Sequence, residues 1–485
     1  MTGLRLGWAN PTIEEILQPL SDGRLIHQGW SPQCERVPTA GDHEWGVLKT
    51  TAIQAGAFLA HEHKRLPDSL APRTAIEVRQ GDLLLTCAGP RARCGVACLV
   101  RSSRPHLMLS GKMYRFRVDG GLIDPRFVEA MLCSPDLQVA LDQIKTGGSD
   151  SGLNLTHERF RSLRLPLPPS AEQERIVAAI EEAFSKLEAG EAGLRTVSQL
   201  LKRMRDALLS AALTGRLVPQ DPTETPAAKL LADFGIQPAE PDGVPELPPG
   251  WAWAELGAIA EVVGGVTKDA NRQADPKFVE VPYLRVANVQ RGFLDLETIA
   301  TIRVAPEKFE QLELRRGDVL FNEGGDRDKL GRGWVWEGQV AGCIHQNHVF
   351  RARLAAGIEP KLVSIWGNTF GRRWFESHGK QTTNLASLNL KTLKSFPVPI
   401  APIGEQARIL REVDRQQSFL DACERAVAAG LLRAAALRRS VLKAAFDGRL
   451  VPQDPSDEPA SVLLDRIRAG RSAQPSAGRR TKEPT

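Results

Sequence analysis

At 485 residues, with 42% hydrophobic and 25% charged residues, the chain is too long for one ordinary core and too apolar to stay disordered. About two to four folded units are expected at roughly 150 residues per domain. A net charge of +5 permits contact with nucleic-acid phosphates without requiring it. Residues 1–10 lack a charged stretch followed by an apolar one, and no apolar run approaches the ~18 to 20 residues of a membrane span. The seven cysteines (Cys34, Cys87, Cys94, Cys98, Cys133, Cys343, Cys423) are odd in number and irregularly spaced, which argues against a disulfide framework. A cytoplasmic protein is the expectation.

The first segment, residues 1–164, reads as a mixed domain. It opens with Gly7-Trp8 before a short amphipathic stretch and carries the strand Gly81-Asp82-Leu83-Leu84-Leu85, followed by a glycine-containing loop and a further β-rich run. Its polar loops offer Lys49 (with Thr50 and Thr51), Arg91, Arg93, Lys112 and Arg115 as candidate DNA contacts, each of which, taken singly, also reads as a solvated loop residue. Cys94 and Cys98 have no second pair at metal-ligand spacing, so buried thiols are the plainer reading. Asp42 with Glu62-His63-Lys64 fits the loose carboxylate and lysine spacing of a Mg²⁺-dependent nuclease, a pattern short enough to arise by accident. His61 and His63 read as surface histidines.

Residues 165–222 form a first helical spacer. The proline-rich strand Leu165-Pro166-Leu167-Pro168-Pro169 excludes helix, and beyond it no proline interrupts Glu172 to Leu217, so one helix of ~40 residues and ~60 Å is expected. Its apolar seam alternates four and three: Ile176, Ile180, Ala183, Leu187, Gly190, Leu194, Val197, Leu201, Met204, Leu208, Ala211. The exit is Gly215-Arg216-Leu217-Val218-Pro219-Gln220-Asp221-Pro222, with Gly215 placed for a left-handed cap. Residues 223–245 read as a linker.

The second mixed segment, residues 246–397, opens with Gly250-Trp251 and carries Gly317-Asp318-Val319-Leu320-Phe321. Its loops supply Arg285, Asn288, Gln290, Arg291, Asn322, Arg327, Lys329, Gln346, Asn347 and His348, rich in side chains able to pair with guanine and adenine edges. Residues 398–465 repeat the helical spacer: Gly448 to Pro455 is letter for letter Gly215 to Pro222, an offset of 233 (448 − 215), and Pro402, Glu405, Gln406, Arg408 and Ile409 match Pro169, Glu172, Gln173, Arg175 and Ile176 at that same offset. The second seam is Ile409, Val413, Gln416, Leu420, Cys423, Val427, Gly430, Ala434, Leu437, Val441, Ala444. The simplest partner for each long helix is the other copy; small seam residues would allow close approach and Gln416 would fix register. Residues 466–485 read as a disordered tail.

On these motifs the chain resembles the specificity subunits of type I restriction-modification enzymes. The resemblance rests on the proline elements ending in Glu172-Gln173 and Glu405-Gln406, the two identical exits, the Leu247-Pro248-Pro249-Gly250-Trp251 opening and the Thr382-Thr383-Asn384-Leu385-Ala386-Ser387-Leu388-Asn389 lead-in; the first proline element is looser and the first segment's start lacks the prolines. It implies an α+β fold with two mixed α/β target-recognition domains joined by two long antiparallel coiled-coil helices in a pseudo-twofold repeat. It implies a non-catalytic subunit that binds double-stranded DNA at two half-sites and positions two methyltransferase subunits and the restriction/translocase subunits. No cofactor is expected in this chain; S-adenosylmethionine, ATP and Mg would belong to the partners. A fused adenine methyltransferase would need an Asn-Pro-Pro-aromatic element and a glycine-rich cofactor loop, and neither is found. The alternatives are a DNA-binding subunit of an orphan methyltransferase complex and a coiled-coil scaffold without a DNA role, the latter leaving the two divergent sets of polar loops unexplained.

Overall fold

The computed structural model describes residues 5–325, 329–381 and 386–473. They form two compact units, Met1–Leu194 with Ala428–Thr485, and Arg195–Val427. Both mix helix and sheet.

In the first unit an antiparallel sheet runs in the order Leu17–Gln18, Met113–Val118, Leu83–Thr86, Ala97–Leu99, with Ile26–Gln28 also paired to Met113–Val118. Leu83, Leu84 and Leu85 are all fully buried because both faces of this sheet are covered. The period of two then sorts side chains between two cores: Leu83, Leu85, Ala97, Leu99 and Phe116 pack on one side with Phe127 and Met131 of the helix Pro125–Leu132, while Leu84, Cys98 and Met113 pack on the other with Val47, Ile53 and Leu107.

The second unit repeats this sheet as Ala260–Val263, Val349–Leu354, Val319–Asn322, Gly333–Val335. The register is the same. Leu83 lies opposite Phe116 and Leu99, and Val319 lies opposite Ala352 and Val335. Gly46 pairs with Arg65 as Pro282 does with Thr301, and Met108 with Val47 as Ile344 does with Tyr283. A single offset of 236 (319 − 83) therefore carries residues 46–118 onto 282–354 without net insertion. Its anchor is a buried carboxylate. Asp82 accepts from the backbone N–H of Arg79 at 2.7 Å and from Arg117 at 2.6 Å, and Asp318 accepts from the backbone N–H of Arg315 at 2.7 Å and from Arg353 at 2.8 Å.

The two long helices are Ser170–Leu213 and Ile403–Phe446, 44 residues each. Each is tied to its domain at its first turn by the same contacts. Trp8 Nε1 donates to Glu172 at 2.9 Å and Trp251 Nε1 to Glu405 at 3.0 Å; burial pushes both carboxyls above their usual range. The Gln173 and Gln406 side chains each accept from a domain backbone N–H, of Asp124 and Glu359, and donate to the proline strand, at Pro168 and Ala401. Gly215 and Gly448 take the left-handed cap at φ 64° and 62°, with Arg216 N–H returning to Ala211 O and Arg449 N–H to Ala444 O.

Within the first unit, Leu194 lies against Gly430, where a Cβ would come within 2.9 Å of it, while Glu191 and Phe184, earlier on the first helix, reach Arg438, later on the second. The helices are antiparallel. In the second unit Arg205 pairs with Asp421 at 2.6 Å and Glu424 at 3.2 Å. The expected seam residues Ile176, Ile180, Leu201, Leu208, Ile409, Val413, Leu420 and Val427 are buried, and Leu187, Leu194 and Val441 are half-buried. Val197, Met204 and Leu437 depart from the expectation, at 42%, 44% and 46% exposed, and near Leu437 it is Leu442 and Ala445 that are buried instead. A strict 3.5-residue repeat drifts off the face of a 3.6-residue helix, and here the first unit's core takes over the row. Gly190 faces open space rather than a partner helix.

The tail expectation is corrected over residues 466–473, which belong to the helix Ala460–Ala473. Ala460, Leu463, Leu464 and Ile467 recur at helical spacing and join the first unit's core, and Arg468 pairs with Glu15 at 2.8 Å. Its counterpart in the second unit is Ala227–Asp233 in the expected linker: Ala227 N–H bonds Gly250 O as Ala460 N–H bonds Gly7 O, each at 2.8 Å.

Replacing either cap glycine by alanine should cost about 1–2 kcal/mol for the left-handed backbone alone. Gly215→Ala should cost more than Gly448→Ala, because the new methyl meets the stiff Pro248 ring in the first case and the flexible Arg5 side chain in the second. Denaturant titration of the two variants checks the order.

Candidate nucleic-acid interface

In each unit a turn and hairpin lie beside a loop. In the first unit the strand Gly46–Leu48 leads through Thr50–Ala52 into the hairpin Ile53–Gln54/Ala57–Phe58, closed at Gly56 with φ 74°. The loop leaving Ala88–Gly89 folds over it, locked by Arg93, whose guanidinium donates to Thr50 O, to Ile53 O at 2.7 Å and to the Gln54 side chain at 3.3 Å. Arg91, half-exposed at 49%, pairs with Asp150 at 2.9 Å and Asp142 at 3.5 Å. Lys49 pairs with Glu62 at 3.4 Å, and Lys112 is exposed. Arg115 is buried: it donates to Glu77 O, Ala75 O and His27 Nδ1, and desolvation draws its pKa down.

In the second unit the equivalent hairpin is Val289–Gln290/Phe293–Leu294, with Gly292 at φ 83°. Asn288 and Asn322 are buried, the Asn288 amide occupied on both sides and the Asn322 amide through its Nδ2 alone. Asn288 accepts from Arg285 N–H and donates to Asp295 O and Thr298 O, closing the turn, and Asn322 donates to Val289 O at 2.9 Å. Gln290 donates to Ala287 O and Arg291 to Asn368 O. The half-buried Arg285 has its Nε buried with no acceptor among the described residues. Lys329 is half-buried, and Arg327 lies outside the described residues. Gln346 and Asn347 are half-buried and His348 exposed in the turn after Ile344–His345, with His348 Nδ1 2.5 Å from Glu323. His345 itself is a core histidine, its pKa lowered to about 4 by burial.

The candidates thus divide. Lys49, Arg91, Arg93, Gln290 and Arg291 gather with Arg285 at the turn-and-loop surface of their own units, Lys112 and the Gln346-Asn347-His348 turn sit beside it, and Arg115, Asn288 and Asn322 serve the interior. Reading the sequence alone missed the Asp82 and Asp318 networks and the Trp–Glu ties. Their signal was the recurrence of Arg79, Gly81, Asp82, Arg115 and Arg117 as Arg315, Gly317, Asp318, Arg351 and Arg353. Among the described residues no group of three or more His, Cys, Asp or Glu could hold a metal ion. Cys94 and Cys98 are buried, and burial raises both thiols. No helix of the described residues is long and apolar enough to cross a membrane.

Asp318→Asn should destabilise the second unit by about 3 kcal/mol, because Arg353 loses its paired carboxylate and the buried Arg351, itself paired with Glu261, loses a nearby attracting charge. Six of the nine tryptophans lie in that unit (Trp251, Trp253, Trp334, Trp336, Trp366, Trp374), so the fluorescence transition in denaturant reports it.

No family model matches the chain. It is 36% identical over 210 residues to the type I restriction enzyme EcoEI specificity subunit of Escherichia coli, covering 43% of this chain and 34% of that one. It is 25% identical over 473 residues to the EcoKI specificity subunit of Escherichia coli (strain K12), covering 94% and 96%. Among solved structures, a chain from a study of complex assembly and conformational transition of the type I R-M system matches with a TM-score of 0.61 at 20% identity, over 93% of this chain and 100% of that one. The HsdS subunit from Thermoanaerobacter tengcongensis matches at 0.51 and 19%, over 92% and 98%. These two establish likeness of fold. With the sequence matches beside them, the chain is similar to the type I restriction enzyme specificity subunits over nearly its whole length.

Proposed function

We propose that this chain is the DNA-specificity subunit of a type I restriction-modification complex and reads a bipartite duplex target. Residues 1–164 take one half-site and residues 246–397 the other. The chain is non-catalytic; two methyltransferase subunits and the restriction/translocase subunits carry the chemistry. The observation that supports this above all is the duplication: one sheet framework occurs twice in identical register, with dissimilar polar loops, and each copy is fastened to the start of one of two equal helices. Two readers on a paired helical strut contact DNA at a fixed separation, so the half-sites flank a spacer that is not read.

The helices also leave apolar side chains in water. Val197, Leu200, Met204 and Phe419 are 42%, 53%, 44% and 62% exposed in the second unit, and Leu432 is 74% exposed in the first. Such side chains are what a partner subunit covers. Met204→Glu with Phe419→Glu should weaken capture of the methyltransferase subunit at least tenfold while leaving the melting temperature of the chain within a few degrees.

The whole reading is tested by purifying the chain with its methyltransferase and selecting from random duplexes. Recovery of a two-part motif with a constant gap is expected; no preference over random DNA would sink it. Deleting one heptad from both helices, around Leu187 to Leu194 and Leu420 to Val427, removes ~10 Å of strut. The gap should then change by about three base pairs with both half-site sequences retained.

A further inference from the structure

Because one framework is present twice, the chain carries its own comparison. Chemistry shared by both copies serves what two DNA readers have in common, the phosphate backbone; chemistry that differs serves what distinguishes their targets, the base edges. The offset of 236 pairs Lys49 with Arg285, Arg91 with Arg327 and Arg93 with Lys329, a cation for a cation at each position. Lys49 and Arg285 lie on the turn of their own units and Arg91 and Arg93 on the abutting loop of the first, while Arg327 lies outside the described residues. The neighbouring turn does the opposite. Ser110, Gly111 and Lys112 in the first unit correspond to Gln346, Asn347 and His348 in the second, a small polar run against two amides and an imidazole.

The backbone holds that turn in the same place in both copies. Cys87 N–H donates to Lys112 O at 2.8 Å and Glu323 N–H to His348 O at 2.9 Å, so each turn sits against the strand end from which the cationic loop departs. In the second unit the Asn347 amide is 3.3 Å from His348 Nε2, and His348 is braced by Glu323. Amides beside a cation-bearing loop suit paired hydrogen bonds to adenine.

Resting on the DNA-reading role above, we propose a division of labour in each unit. Lys49, Arg91 and Arg285 grip phosphates irrespective of sequence, while the turns Ser110-Gly111-Lys112 and Gln346-Asn347-His348 determine specificity, each for the half-site of its own unit.

The test uses the full chain assembled with its methyltransferase, on the selected target and on duplexes substituted at each base pair of one half-site, over a range of salt. Lys49→Ala, Arg91→Ala and Arg285→Ala should each weaken binding to every duplex by a common factor and lower the slope of log affinity against log salt by about one. Arg91→Lys, which keeps the charge, should restore the slope even where loss of the Asp150 pair disturbs the loop. Gln346→Ala and Asn347→Ala should cost about ten- to a hundredfold on the cognate duplex, relax discrimination at one or two positions of one half-site, and leave the other half-site untouched. Changed base preference in the lysine or arginine variants, or a uniform loss on all duplexes in the Gln346 and Asn347 variants, would overturn the division. An unmutated complex that binds all duplexes alike would instead remove the DNA-reading role itself.

Discussion

A 44-residue amphipathic helix presents more apolar length than a small mixed domain can cover, and this need for a second helix governs the rest of the molecule. The first turns solve it locally, where Ile176, Val177 and Ile180 join the first unit's core. Along the middle of each helix, away from the ends that pack on domain residues, the other helix is what remains to cover the stripe. Duplication supplies a partner of equal length, and antiparallel pairing lets the end of one helix lie beside the start of the other. The first unit is therefore built from pieces distant in sequence: the Ala460–Ala473 helix completes a core whose strands begin at Leu17.

Fixing the framework frees the loops. The Asp82 and Asp318 networks bind one strand end to the next through charge-assisted bonds to buried groups, an arrangement in which removing any one member leaves another uncompensated. Such a core tolerates little change, and both copies retain it. The turns outside it carry no comparable obligation, and Ser110-Gly111-Lys112 in the first copy corresponds to Gln346-Asn347-His348 in the second.

What could be read from the sequence follows the range of the interactions involved. The helices, their proline-rich approaches and their glycine caps were legible because each is decided within a few residues. The shift of the seam from Leu437 to Leu442 was not, since it depends on which core the helix end meets. The helix over Ala460–Ala473 was hidden by its arginines and glycine, and only the packing of Ala460, Leu463, Leu464 and Ile467 into the first unit's core reveals its apolar face. Asn288 and Asn322 show the limit most clearly. An amide in a polar loop closes a turn as readily as it reads a base, and burial, a tertiary property, decides between the two. The loose duplication of the two mixed segments was legible at Gly81-Asp82 and Gly317-Asp318, but its constant 236-residue register was not, because the identities are scattered among replaced core residues, as where Phe116 becomes Ala352; strand register makes the equivalence plain.

A reader attached to its strut by a single covalent strand would swing, and a swinging reader cannot specify a spacing. Three further ties oppose this at each helix start. In the first unit they are Trp8 to Glu172, Gln173 to Asp124 and Pro168, and Arg175 to Asp457 at 2.6 Å. In the second they are Trp251 to Glu405, Gln406 to Glu359 and Ala401, and Arg408 to Glu224. Each set joins the helix to the domain, to the proline strand and to the turn that follows the other helix, three directions that together remove rotation as well as translation. Both carboxylates of the Trp–Glu ties keep one buried oxygen without a partner, a standing cost that both copies retain. Retention of the same cost twice points to a requirement for orientation rather than stability alone, which is what the fixed gap between half-sites proposed above would demand.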